Sequence, residues 1–115
     1  MNIEKILRII GFLPKENAKD IYVKKYADNY VIEVDTEKLI IHFGGKIKIG
    51  SKTSQNITKP EDWVVLECVD KLLQKGYKPQ NIQIEKVWRA GHQNSGRLDI
   101  CVTHDDGSEY LLIEC

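Results

Sequence analysis

Long apolar runs are missing from these 115 residues: none approaches the roughly 18 that a membrane span needs, so no membrane partner is expected. Cysteine is scarce as well. The three present are far apart and odd in number, which leaves no basis for a disulfide framework. With three prolines and 42% apolar residues, the chain is too hydrophobic for intrinsic disorder. The opening Met1-Asn2-Ile3-Glu4-Lys5 has an early acid and no continuous apolar segment, so no signal peptide is expected. Internal repeats and low-complexity tracts are absent too. What remains is one domain's worth of chain, enough for a two-layer core, and a soluble, cytoplasmic protein is expected.

Net charge is also lacking, with 17 Lys+Arg against 17 Asp+Glu, but the balance hides an asymmetry. Residues 1–59 hold 11 basic and 7 acidic side chains, and residues 60–115 hold 6 and 10. From Lys38 to Lys59 there are five lysines (Lys38, Lys46, Lys48, Lys52 and Lys59) and no acid. Such a stretch suits either a phosphate-facing edge beside a carboxylate site or a solvated, lysine-rich hairpin.

Ile3, Ile6, Leu7, Ile9 and Ile10 follow helical spacing, with Gly11 as the stop and Pro14 beyond. Asp20–Tyr26, Tyr30–Asp35 and Leu39–Phe43 read as an antiparallel meander ending at Gly44-Gly45, with a further extended piece at Lys46–Ile49. Within it Tyr30, Ile32 and Val34 alternate against Val31, Glu33 and Asp35, as a half-buried strand does. Thr58-Lys59-Pro60-Glu61 predicts a capping box opening a second helix. Val64, Val65, Leu66, Cys68, Val69, Leu72 and Leu73 form its apolar face, and Gly76 and Pro79 end it. Glu67 falls on the opposite, solvent side with Trp63, Asp70 and Gln74. Asn81–Arg89, a strand around Leu98, Ile100 and Val102, and Tyr110–Cys115 complete an order of helix, strand, strand, strand. That order predicts an α+β fold, an antiparallel or mixed sheet with packed helices.

Asp106-Gly107 is a two-residue hairpin signal. If those two form the loop, Asp105 faces Ser108, Thr103 faces Tyr110, Cys101 faces Leu112 and Asp99 faces Glu114. Directly opposed residues have Cβ atoms about 4.5–5.5 Å apart, so two acids fall side by side. Facing carboxylates repel unless neutralised, and a divalent cation such as Mg²⁺, which takes oxygen ligands, is an economical neutraliser. A three-residue loop that shifts the register, or two merely solvated acids, is the alternative.

Gly96-Arg97-Leu98-Asp99-Ile100, a hairpin, and Leu111-Leu112-Ile113-Glu114-Cys115 resemble the core of the PD-(D/E)xK nuclease superfamily. The likeness is greatest to the N-terminal nuclease-like module of type I-like restriction-modification proteins and related fused methyltransferases. It takes in Glu61–Arg89, with Trp63–Val69, Lys75–Pro79 and Ile84-Glu85-Lys86, and Tyr22–Gly50 is similar to the region that precedes the core. The resemblance implies Mg²⁺ held by Asp99 and Glu114, and Glu67 matches a helix acid that supports the site in several branches. It also implies a lysine two residues past the glutamate, at position 116, one beyond Cys115. The family's further helix and strand would follow. The chain is therefore expected to be a fragment cut inside the motif, inactive as given.

Arg97 shares a strand face with Asp99, where it either contacts phosphate or pairs with an acid. Glu85 is either a further acid near the site or a surface residue, and His92 lies in a glycine-flanked polar loop. Cys68, Cys101, Cys115, His92 and His104 lack the paired spacing of a zinc site. Gly45–Thr53 lacks the adjacent glycine and lysine of a phosphate loop.

The chain divides on this reading into 1–59, a helix and antiparallel meander with the basic stretch, and 60–115, a partial nuclease-like core, within one compact domain. The expected function is that of a restriction-modification nuclease module performing Mg²⁺-dependent phosphodiester hydrolysis in the intact protein. Its partners would be DNA, gripped through Lys46, Lys48, Lys52 and Arg97, and other restriction-modification subunits. The alternative is a catalytically degenerate DNA-binding or assembly module, and a third reading is an α+β interaction domain with no DNA role.

Overall fold

Helix α1 (Ile3–Ile10) starts where Asn2 places its Oδ1 3.0 Å from the Lys5 N–H, satisfying one of the donors that a helix N-terminus leaves unpaired. It ends at Gly11, whose φ of +112° favours glycine and whose N–H donates to the Leu7 and Arg8 carbonyls. Leu7 is buried, whereas Ile9 is 76% exposed and stands off the apolar stripe. The computed structural model describes residues 2–49, 57, 60–87, 97–106 and 108–114. Residues 60, 61, 85–87, 97–99, 109, 110, 112 and 114 enter through their backbone and register.

The first sheet has the order β1-β2-β3-β4 and is antiparallel throughout: β1 (Leu13–Pro14), β2 (Ile21–Lys25), β3 (Val31–Asp35) and β4 (Ile40–His42). β1 is two residues long, too short for any periodicity to announce. Its proline suits an edge strand, where no N–H is owed to a ladder. The connection to β3 passes through Asp28 and Asn29 at φ of +58° and +61°, a conformation these two residue types tolerate. After β3, Asp35 Oδ1 accepts the N–H groups of Glu37 and Lys38 at 3.0 and 2.9 Å and turns the chain into β4. The alternation on β3 is as the sequence predicts, with Tyr30, Ile32 and Val34 buried.

Tyr30 also organises the exit from this sheet. Its hydroxyl donates to the Phe43 carbonyl and accepts the Ile47 N–H at 3.2 Å and the Lys46 N–H at 3.4 Å. Gly44, at φ +82°, lies so close that a Cβ there would stand 2.5 Å from the hydroxyl. The turn releases the chain into β5 (Lys48–Ile49), which leaves the meander and joins the second sheet.

Helix α2 (Pro60–Gln74) begins at the expected proline; the predicted Thr58 cap lies outside the described residues. It closes at Gly76, where the Gly76 N–H reaches the Leu73 carbonyl and the Tyr77 N–H reaches that of Leu72. Val65, Leu66, Val69, Leu72 and Leu73 are buried, each worth about 1.5–3 kcal/mol when removed from water. Asp70, which helical spacing assigns to the solvent side, is instead 4% exposed. Lys24 of β2 lies over that side of the helix and supplies a partner, and the local pattern of α2 carries no trace of this.

The second sheet has the order β5-β6-β7-β8 and is mixed: β5 runs parallel to β6 (Ile82–Val87), and β7 (Arg97–Thr103) and β8 (Glu109–Glu114) continue antiparallel. One core cluster joins Phe12, Ile32, Val34 and Phe43, the apolar face of α2, and Ile82, Ile84, Ile100 and Val102. The fold is α+β, with two helices among the described residues.

The β7–β8 hairpin corrects one detail. The His104 N–H donates to the Ser108 carbonyl at 2.8 Å, so three residues, not two, separate the closing pair. Thr103 accordingly faces Glu109 rather than Tyr110. An irregularity between Val102 and Thr103 then restores the expected register, with Val102 opposite Leu111, Cys101 opposite Leu112 and Asp99 opposite Glu114. The extra loop residue and the bulge cancel.

Candidate functional site

Register builds the site. Asp99 on β7 is opposite Glu114 on β8, and on its other side it is opposite Glu85 on β6. Directly opposed residues share a sheet face with Cβ atoms about 4.5–5.5 Å apart, so the three strands bring three acids into one transverse row. The neighbouring row, Ile84-Ile100-Ile113, belongs to the opposite face, and Ile84 and Ile100 there are completely buried. The acid row is therefore on the face turned away from that core. Sequence reasoning reached Asp99 and Glu114 through the turn. It left Glu85 open because the loop between β6 and β7 carries no register signal.

Oxygen donors on adjacent strands fit the chemistry of a hard divalent cation, which needs only one or two carboxylates when water and phosphate complete its shell. Among the residues with described side chains, no group of three or more His, Cys, Asp or Glu is placed to hold a metal ion. Glu85, Asp99 and Glu114 are placed by register alone and fall outside that statement. Cys68 and Cys101 are not joined in a disulfide.

The remaining expected residues are distributed as follows. Lys46 is exposed on the turn before β5, Lys48 is exposed on β5, and Lys38 is exposed beyond β3. Arg97 opens β7, opposite Val87 and two residues from Asp99. Lys52, Lys59 and His92 lie outside the described residues. Glu67 is exposed on α2 and pairs with Lys71 at 3.1 Å, one helical turn on, and its hydrogen bond raises the Lys71 ammonium pKa.

A second polar cluster was not anticipated. Lys24 Nζ lies 2.7 Å from Asp70 Oδ1 and donates to the Ile10 carbonyl at 2.7 Å. The Tyr26 hydroxyl donates to the same Asp70 oxygen at 2.6 Å, and Gln74 Nε2 donates to Asp70 Oδ2 at 2.9 Å. Burial, and then the hydrogen bond and charge of Asp70, raise the Tyr26 phenol well above its ordinary value. With side chains 6% and 17% exposed, Asp70 and Lys24 form a desolvated pair whose carboxylate is fully engaged by protein donors. It ties β2 to α2 and leaves Asp70 no oxygen free for a ligand.

At the hairpin tip Asp105 accepts from Asn81 Nδ2 at 2.9 Å and pairs with Lys78 at 3.1 Å, which lowers its pKa. Asp106 Oδ1 accepts both the hydroxyl and the N–H of Ser108, at 2.6 and 2.9 Å, and is lowered by them.

Comparison with protein-family models, with curated proteins and with solved structures gives no match. Among the described residues no helix is long and apolar enough to cross a membrane. The functional reading therefore rests on the row Glu85, Asp99, Glu114 and on the basic residues near it.

Proposed function

We propose that the second sheet and α2 form the restriction-endonuclease-like core of a DNA restriction-modification module. In the intact protein Asp99 and Glu114 would hold Mg²⁺ for phosphodiester hydrolysis. The observation that supports this reading is the direct opposition of Asp99 and Glu114 on adjacent antiparallel strands, in the order α2, β6, β7, β8. The cation would offset the repulsion of facing carboxylates and present its charge to a phosphate oxygen. Exposed Lys46 and Lys48 supply positive charge for the DNA backbone. Cleavage in the wider family uses a lysine two residues past the glutamate, so a lysine at position 116 favours the nuclease. A hydrophobic residue there favours a degenerate DNA-binding or assembly module.

Mn²⁺-dependent stabilisation tests the reading. Wild type is expected to melt at a higher temperature with Mn²⁺, and Asp99→Asn and Glu114→Gln to lose that gain while staying folded. Equal Mn²⁺ shifts in all three proteins would refute a cation site at these residues. Nicking of supercoiled DNA by the intact protein, with its partner subunits, then separates the nuclease from the degenerate module.

A further inference from the structure

Strand β5 is two residues long and comes from the half of the chain that otherwise builds the first sheet. Its parallel register places Lys48 opposite Gln83 and Ile49 opposite Ile84. Ile49 packs on the core beside fully buried Ile84, so Lys48, which is exposed, belongs to the other face. Gln83 is opposite Cys101 and Cys101 opposite Leu112, and Lys48 thus begins the row two residues along from Glu85, Asp99 and Glu114. Rows two residues apart share a face at a separation of about 6.6–6.8 Å. Lys48 is the lysine that these four strands place on that face. Lys86, opposite Leu98, alternates to the other.

Charge then decides what the face can hold. The acid row brings three acidic residues to the face, and Arg97, two positions from Asp99, brings one basic residue to the same face. A divalent cation offsets the other two, but Glu109, opposite Thr103 further along the same face, leaves one negative charge and no net attraction for a phosphodiester anion. One more positive charge on this face cancels that remainder and lets a phosphate oxygen approach. We infer that Lys48, delivered across from the first half of the chain by β5, carries that charge. It is a substrate-positioning residue that binds a non-bridging oxygen of the phosphodiester held beside the carboxylate row. Its long stem and three donors suit a point contact to a phosphate oxygen. The inference rests on the cation site proposed at Asp99 and Glu114.

Fluorescence anisotropy of a short labelled DNA duplex, with and without Ca²⁺, tests it without requiring cleavage. Ca²⁺ takes the same oxygen ligands and is expected to tighten wild-type binding about tenfold, the worth of one charge-assisted contact. Lys48→Gln is expected to lose that gain, and Lys48→Arg to recover most of it. Lys46→Gln, which changes an exposed lysine on the preceding turn, should weaken binding equally with and without Ca²⁺ and keep the gain. A Ca²⁺ gain in Lys48→Gln equal to that of wild type overturns the positioning role and leaves the cation site standing. A wild type with no Ca²⁺ gain, or an Asp99→Asn variant that retains it, overturns the site and this inference with it.

Discussion

Asp70 on α2 and Asp99 on β7 belong to elements that share one core, and the chain surrounds the two positions in opposite ways. Asp70 meets a lysine, a phenol and an amide, all donors, and both of its oxygens are used. Asp99 has an acid opposite it on each neighbouring strand. A buried carboxylate that meets cations and donors holds the fold together, because removing it strands its partners. Acids at directly opposed positions work against the sheet unless a positive charge offsets them. The comparison sets an acid that supports structure apart from the acids of the proposed cation site. It also predicts that mutating each kind moves stability in opposite directions.

The largest effect belongs to Asp70. Asp70→Ala leaves the half-buried Lys24 without its counter-charge and removes the acceptor of the Tyr26 hydroxyl, so urea denaturation should show a loss of about 3 kcal/mol. Replacing both ions with apolar residues, Lys24→Met with Asp70→Leu, should recover most of that loss, since the cost is the orphaned charge rather than the missing attraction. A loss below about 1 kcal/mol for Asp70→Ala, the level of an exposed ion pair, would break the comparison at its structural end.

Next in size, and opposite in sign, are the acids of the row. Asp99→Asn or Glu114→Gln removes a like-charge repulsion between directly opposed residues, and without divalent cation each should raise stability by about 0.2–1 kcal/mol. The gain should shrink in high salt, which screens exposed charges. A loss of stability in either variant would place these acids with Asp70, as residues kept for folding.

Much of this architecture can be read from local pattern. The spacing of Ile3, Leu7 and Ile10, the stop at Gly11, the alternation around Ile32 and the run from Val65 to Leu73 each report a face, and a face is a local property. The opposition of Asp99 and Glu114 is legible for a different reason, since a short hairpin couples its two strands through its turn. Even so, the loop holds one residue more than Asp106-Gly107 suggests, and the register survives because a bulge absorbs it. What stays hidden is what distant segments do to each other. Neither the burial of Asp70 under Lys24 nor the departure of Lys48-Ile49 from the meander to run parallel with β6 has a local signal. Both depend on contacts between residues tens of positions apart. The pairing of Glu85 with Asp99 is of the same kind, set across a loop whose sequence does not fix its length in space.

The hairpin tip gives the smallest effect and a third kind of acid, one satisfied by neutral donors at the surface. Asp106 is held by the Ser108 hydroxyl and N–H, which stabilise its ionised form and lower its pKa in the folded protein. A carboxyl lowered on folding adds stability above its unfolded value, near 3.9, and that contribution fades as pH falls through the folded value. Asp106→Asn keeps an acceptor oxygen but no charge. Its melting temperature should therefore lie slightly below that of wild type at neutral pH, with the gap closing as the solution is acidified below the ordinary aspartate range. Thermal melts of both proteins across that range check this. A gap that stays constant with pH would mean that turn geometry, not the ionised carboxylate, is what Asp106 contributes. The hairpin register that sets Asp99 opposite Glu114 would then owe nothing to the charge at its tip.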